Sequence, residues 1–188
     1  MMMEPHAREE TAIVLDYLPN GYPFDVRPNH IKTPIVQALG KEHFVLLELV
    51  PKREAQLQPH DEVYIGEGKR DKIHHINGRL LPAKLTPTAK AELEYVLNKI
   101  VKDNEQFFVG FFNKAQPLST RMHSLELIPG MGKKRMWEII EERKDKPFES
   151  FADIRARLKL IPDPEKAIVR RILLEIDGNE KHYLFVER

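Results

Sequence analysis

Apolar residues along this chain keep two different periods. From Thr11 to Leu81 they fall in short dense runs; from Leu85 onward they return every three or four positions. The first pattern predicts strands and the second helices. Ala12-Ile13-Val14-Leu15-Asp16-Tyr17-Leu18 is rich in branched and aromatic residues and stops at the turn signal Pro19-Asn20-Gly21. A loop dotted by Pro23, Pro28 and Pro34 follows, and the next strong strand is His43-Phe44-Val45-Leu46-Leu47-Glu48-Leu49-Val50, ending at Pro51. In Asp61-Glu62-Val63-Tyr64-Ile65-Gly66, Val63 and Ile65 share one face and Tyr64 takes the other. Lys72-Ile73-His74-His75-Ile76 and Arg79-Leu80-Leu81 flank Asn77-Gly78, a hairpin signal. About five short strands so closely spaced predict a small barrel or sandwich.

The helical half opens at Thr86, a capping residue, with Pro87 at the first helical position. Leu93, Val96, Leu97, Ile100 and Val101 form one buried stripe, and the helix is expected to bridge two domains. Asn104 is expected to cap a shorter helix whose Phe107, Phe108, Phe111 and Phe112 read as core rather than as a base-stacking surface. An apolar run then ends at Leu125-Glu126-Leu127-Ile128, the turn Pro129-Gly130-Met131-Gly132 follows, and a helix opens on Lys133, Lys134 and Arg135. Shifted by 33 residues, the run meets a relative: Leu125 to Pro129 aligns with Leu158 to Pro162, Lys133 with Lys166 and Ile139 with Ile172. Met136, Ile139 and Ile140 are the buried side of the first closing helix; Ile168, Ile172 and Ile176 that of the second, and Ser150 is a cap between the units. Lys181 to Val186 reads as a strand returning to the sheet.

The chain of 188 residues allows one large or two small domains, and the change of period divides it. Residues 1–85 are expected as a β-barrel domain. Residues 86–188 are expected as a helical domain with bridging helices over 86–118, paired hairpins over 119–177 and a strand over 181–186. A net charge of +1 makes any basic surface local. Residues 119–174 hold 13 Lys and Arg against 9 Asp and Glu; residues 69–84 hold Lys69, Arg70, Lys72, Arg79 and Lys84 against Asp71. The absence of cysteine excludes disulfides, thiolate metal sites and cysteine nucleophiles, and fits an intracellular protein. No run approaches the roughly 20 apolar residues of a membrane helix. Met1-Met2-Met3-Glu4-Pro5 lacks a signal-peptide core, and residues 1 to 10 are polar and expected to fray. A cytoplasmic location is expected.

The turn carries the chemistry. Glycine supplies backbone angles closed to other residues, and the next helix begins with outward-facing amides, a ready anion site. Leu125 to Arg135 resembles the helix-hairpin-helix motif, and the resemblance implies contact with the sugar-phosphate backbone of a nucleic acid. Amides of Gly130, Gly132 and Lys133 would hold one phosphate beside Lys133, Lys134 and Arg135, with Met131 in the same turn. Met136 departs from the family pattern, which has a small residue there. In the second unit Asp163 and Glu165 replace Gly130 and Gly132, so only the first hairpin is expected to grip a ligand. Lys69, Arg70 and Lys72 are expected as a second set of contacts, with Tyr64 or Tyr17 as a stacking surface.

Pro59 to Gly66 resembles a strand entry of oligonucleotide-binding (OB) barrels. The order of barrel, bridging helix and hairpin pair is similar to an uncharacterised archaeal family of predicted nucleic-acid-binding proteins. There an OB-like barrel precedes a SAM-like helical domain, and the likeness covers roughly residues 10 to 186. The implied fold is α+β multidomain: an OB-like small β-barrel, then an all-α SAM-like domain with tandem helix-hairpin-helix. RNA is favoured over DNA as partner, because such a barrel suits single strands. No catalytic residue, metal or cofactor is expected: no phosphate-loop motif, GxSxG or HExxH is present, and His74 and His75 are expected on opposite strand faces. Two alternatives stand beside this: a protein-protein adaptor using the SAM-like domain, and a DNA repair or nuclease-associated factor.

Overall fold

The computed structural model describes residues 8–188. The expected fraying of the N-terminus lies outside the described residues for positions 1–7. For Arg8 to Glu10 the outcome differs, because Glu9 is buried and its carboxyl accepts the backbone N–H groups of Glu42 (2.9 Å), His43 (2.8 Å) and Val45 (3.3 Å).

The strands β1 (Thr11–Leu18), β2 (Ile35–Gly40), β3 (Leu46–Pro51), β4 (Glu62–Tyr64) and β5 (Ile73–Arg79) form one curled antiparallel sheet in the order β4-β1-β2-β3-β5. Ala12, Val14, Val36, Ala38, Leu47, Leu49, Val63 and Ile73 build a core with Leu57 and Ile65. Ile13, Leu39 and Leu46, which alternate with them, are buried as well. Burial on both faces explains why these strands read as continuous apolar runs. Each Val, Leu or Ile among them contributes roughly 1.5–3 kcal/mol when fully removed from water.

The expected OB-like barrel followed by an all-α SAM-like domain is overturned. Among the described residues the sheet is an open half-barrel whose edges, β4 and β5, do not pair with each other. Closure needs every strand to find partners on both sides. The three-residue β4 pairs only with β1, from Thr11–Tyr64 to Ile13–Glu62. The helices are not a separate all-α domain either. Packing divides the chain into one unit running through Val96 and including Ile176–Arg188, and a second unit, Leu97–Glu175. The helix α1 (Pro87–Asp103) begins in the unit that holds the sheet.

Three strand expectations change. Ile35–Gly40, where no strand is expected from the sequence, is β2. Asn77-Gly78 is not a hairpin turn but lies inside β5, where Glu48 faces Gly78 and Leu49 faces Ile76, leaving Asn77 as the extra residue of a bulge. Glycine suits a bulge, and Asn77 Nδ2 donates to Glu48 Oε2 at 2.7 Å. Residues 181–186 form no strand; near the chain end, Glu187 N–H donates to the His43 carbonyl at 3.1 Å.

In the first unit Thr86 caps α1, its Oγ1 accepting from Ala89 N–H at 3.0 Å and donating to Asp16 Oδ2 at 2.6 Å. In the second unit α2 (Glu105–Lys114) buries Phe108 and Phe112 and leaves Phe107 on the surface. A 3-10 turn over Ser124–Leu127 leads to α3 (Gly132–Asp145), followed by α4 (Phe151–Arg157) and α5 (Pro164–Asp177), which ends in the first unit. Ser150 caps α4 as expected, accepting from Asp153 N–H at 2.9 Å.

Candidate functional site

The approach to α3 is built by local hydrogen bonds. His123 opens the 3-10 turn: its Nδ1 accepts from Leu125 N–H at 3.1 Å, while Glu126 Oε2 accepts from His123 N–H at 2.7 Å. Burial, and then the charge of Arg143, hold the His123 imidazole below its usual pKa against the pull of Glu126, so the ring is neutral near pH 7 and its Nδ1 is open to accept. Leu125 and Ile128 are buried. Met131 N–H then closes a turn onto the Ile128 carbonyl at 3.1 Å, with Pro129 and Gly130 at its centre. Gly130 at φ +83° takes the place that requires positive φ in a type II turn.

Six of the residues singled out in the sequence therefore come together in one turn, with unequal roles. Met131 is fully buried, so it anchors the turn rather than meeting a ligand. Gly132 (φ +38°) begins α3, and no side chain caps that end. The first turn of α3 carries no acidic residue, and its N-terminal positive end is unopposed there. Lys133 and Lys134 are exposed; Lys133 Nζ donates to the Arg121 carbonyl at 3.2 Å and lies 3.6 Å from Glu126 Oε1. Arg135 reaches forward along its helix to Glu138 at 3.0 Å. Met136, in place of a small residue, is buried with Ile139 and Ile140.

The second turn differs chemically. Asp163 Oδ1 accepts from Glu165 N–H (3.0 Å) and Lys166 N–H (3.2 Å), capping α5 with a carboxylate. Arg155 bridges Asp163 (3.1 Å) and Glu165 (3.0 Å). The amides that an anion would use are already taken.

Lys69, Arg70 and Lys72 belong to the other unit. Lys69 and Lys72 are exposed, whereas Arg70 Nε is held by the Gly66 carbonyl at 2.9 Å. Arg70 and Arg79 line a cleft of about 690 Å³ together with Glu9, Glu10 and Glu67, so its charge is mixed. Tyr64 is partly exposed, and its hydroxyl accepts from Gly68 N–H at 3.0 Å. His74 and His75 do not point apart: their Nδ1 atoms are 2.7 Å apart, because His74 is the extra residue of a second irregularity in β5 and the alternation fails there. His60 pairs with Glu92. No group of three or more metal-ligating side chains occurs among the described residues.

The sequence reasoning missed Trp137. It is 57% exposed, sits four residues after Lys133 on the same face of α3, and walls a cleft of about 510 Å³ with Leu118, Met122 and Arg121. The spacing alone was a usable signal, since residues four apart on a helix are neighbours.

Comparison with known proteins adds kinship. A family model described as a protein of unknown function (DUF655) matches residues 8–187. The uncharacterized protein MJ0038 of Methanocaldococcus jannaschii is 47% identical over 186 residues, covering 98% of this chain and 82% of that protein. The crystal structure of Af1531 from Archaeoglobus fulgidus, of the same family model, superposes with a TM-score of 0.88 at 50% identity, covering 94% of this chain and 99% of that one.

Proposed function

The chain belongs to the DUF655 family of proteins of unknown function, and we propose that it is a non-catalytic nucleic-acid-binding protein that grips the phosphate backbone through the turn 129–134. On this reading the 3-10 turn Ser124–Leu127, the glycine turn and α3 together do the work of a helix-hairpin-helix. The observation that carries it is the start of α3: a glycine turn, no side-chain cap, no acidic residue, and Lys133 and Lys134 exposed beside the amides. Such an end attracts phosphate through both its N–H groups and its dipole. The contacts are to backbone, so they position a ligand without reading its bases.

A structural role for Asp153, a carboxylate further along the chain, supports the non-catalytic part. Asp153 accepts from Glu149 N–H at 3.0 Å and pairs with Arg157 at 3.2 Å within α4. The expected preference for RNA rested on a closed barrel, and the open sheet lends it no support; single-stranded and duplex RNA and DNA are therefore compared directly.

Fluorescence anisotropy on those four ligands, at low and moderate salt, tests the proposal. Wild type should bind with an affinity that falls as salt rises. Lys133→Glu/Lys134→Glu should lose about tenfold or more at low salt, since two phosphate contacts become repulsive. Loss of binding in Asp163 and Glu165 variants but not in Gly130 and Gly132 variants would overturn the assignment. A folded wild type that binds none of the four would move the turn to a protein-adaptor role.

A further inference from the structure

We infer that the cleft beside α3 takes one unstacked nucleobase, with Trp137 as its stacking wall, so that the strand held at the turn is single-stranded where it passes this face. The inference rests on the nucleic-acid reading above and gives that reading a ligand class.

The cleft lies between α3 and a short strap, residues 117–123. The strap is held by its own backbone: Pro117 bridges His123, and the N–H groups of Leu118 and Ser119 both donate to the Met122 carbonyl, at 2.8 and 3.1 Å. Ser119 Oγ accepts from the N–H groups of Arg121 (3.2 Å) and Met122 (3.1 Å). A wall fixed in this way orders a ligand at little further entropic cost. The volume, about 510 Å³, falls within the roughly 300–1,000 Å³ of small-ligand sites.

Chemistry selects the occupant. Trp137, Leu118 and Met122 are all substantially exposed, and they give the cleft an apolar, aromatic side. Arg121 and Lys133 stand at the same cleft, and Lys133 is bonded to the strap through the Arg121 carbonyl. A flat uncharged ring joined to an anion matches that pairing of an aromatic face with cations. The one carboxylate of the lining, Glu126, is occupied by His123 N–H (2.7 Å) and faces Lys133, so its charge is compensated within the protein. A duplex keeps its bases paired and stacked, and offering one to Trp137 costs a few kcal/mol that a single strand does not lose.

Trp137 is the one tryptophan of the chain, so its fluorescence reports this cleft directly. The full-length protein is titrated with a single-stranded ten-nucleotide RNA, an abasic ten-nucleotide strand of equal charge, and a duplex. The expected result is quenching by the first alone, with affinity about tenfold above the other two, the scale of one base stacked on an aromatic ring. In anisotropy titrations of the labelled nucleic acids, which need no tryptophan, Trp137→Ala should remove that tenfold advantage, Trp137→Phe should keep most of it, and neither should change the slope of affinity with salt. Equal binding of all three strands without quenching overturns the base site and leaves the backbone reading standing. Absence of binding to any of them overturns both.

Discussion

Pro162 fills the space where Gly130 has no side chain: a Cβ placed on Gly130 would lie 2.6 Å from Pro162 Cγ. The contact joins the two turns that the internal repeat relates, and it separates two glycines that look alike in the sequence. Gly130 combines positive φ with a blocked Cβ position, whereas Gly132 has positive φ and nothing within 4 Å. Gly130→Ala should therefore cost about 2–4 kcal/mol, from backbone strain plus a clash with a rigid ring, and Gly132→Ala about 1 kcal/mol. Urea unfolding of both variants checks this; equal losses would mean that Pro162 yields.

Asp163 caps α5 through the N–H groups of Glu165 and Lys166. Burial opposes its charge, but the hydrogen bond from Arg155 and those amides outweigh it and hold its pKa below the usual carboxylate value. A lowered folded pKa adds stability that is present above the unfolded value and is lost as pH falls through the folded one. Asp163→Ala should destabilise by about 1 kcal/mol at pH 7 and by less in acid. Its affinity for single-stranded RNA should match wild type. Weakened binding by a stably folded variant would contradict the division of labour between the two turns.

Much of the architecture was legible because its signals are local. Thr86-Pro87 marks a helix start in any context, and the stripe from Leu93 to Val101 is buried throughout. What failed needed partners distant in sequence. The strand Ile35–Gly40 follows a proline-rich loop and carries Gln37 and Gly40, so its apolar run is short, and the sheet around it makes it a strand. Asn77-Gly78 has turn chemistry, yet β3 captures it as a bulge. Barrel closure depends on the length of β4, a three-residue strand that composition does not reveal. At the site, the turn 129–134 was readable from its glycines and lysines. The burial of Met131 and the exposure of Trp137 depend on which face of the helix the core covers.

Gln37 is a fully buried polar residue whose side chain closes a ring of bonds at the start of α1. Its Nε2 donates to the Lys84 carbonyl and its Oε1 accepts from Thr86 N–H, each at 2.9 Å. Gln37→Leu keeps the volume and strands both backbone groups, so it should cost about 2–4 kcal/mol. Gln37→Glu at neutral pH retains the acceptor for Thr86 but faces the Lys84 carbonyl with a second oxygen, and should be at least as damaging. Chemical unfolding monitored by circular dichroism reads both; a loss below about 1 kcal/mol would show that water replaces the amide.

Glu9 gives the fold a pH dependence opposite in sign to that of Asp163. Burial, and then a hydrogen bond with the Glu42 carboxyl, push its pKa from 4.5 up to about 7, although the N–H groups of Val45, Glu42 and His43 pull the other way. Glu42 is itself partly buried, but the Glu9 carboxyl and the N–H groups of Thr11 and Glu10 outweigh that and lower its pKa. Below about pH 7 Glu9 is therefore the member of the pair that favours its protonated form. A raised folded pKa means stability that is complete below the unfolded value and is lost as pH rises through the folded one. Between pH 4.5 and about 7 the Glu9 contribution should fall by an amount on the order of 3 kcal/mol. Guanidinium unfolding midpoints at half-unit steps from pH 5 to 8.5 measure it. Glu9→Gln should start less stable at pH 5, because its amide nitrogen cannot accept a backbone N–H, and should lose the slope across this window. A wild-type profile that is flat from pH 5 to 8.5, or a Gln variant with an unchanged slope, would remove Glu9 as the titrating group.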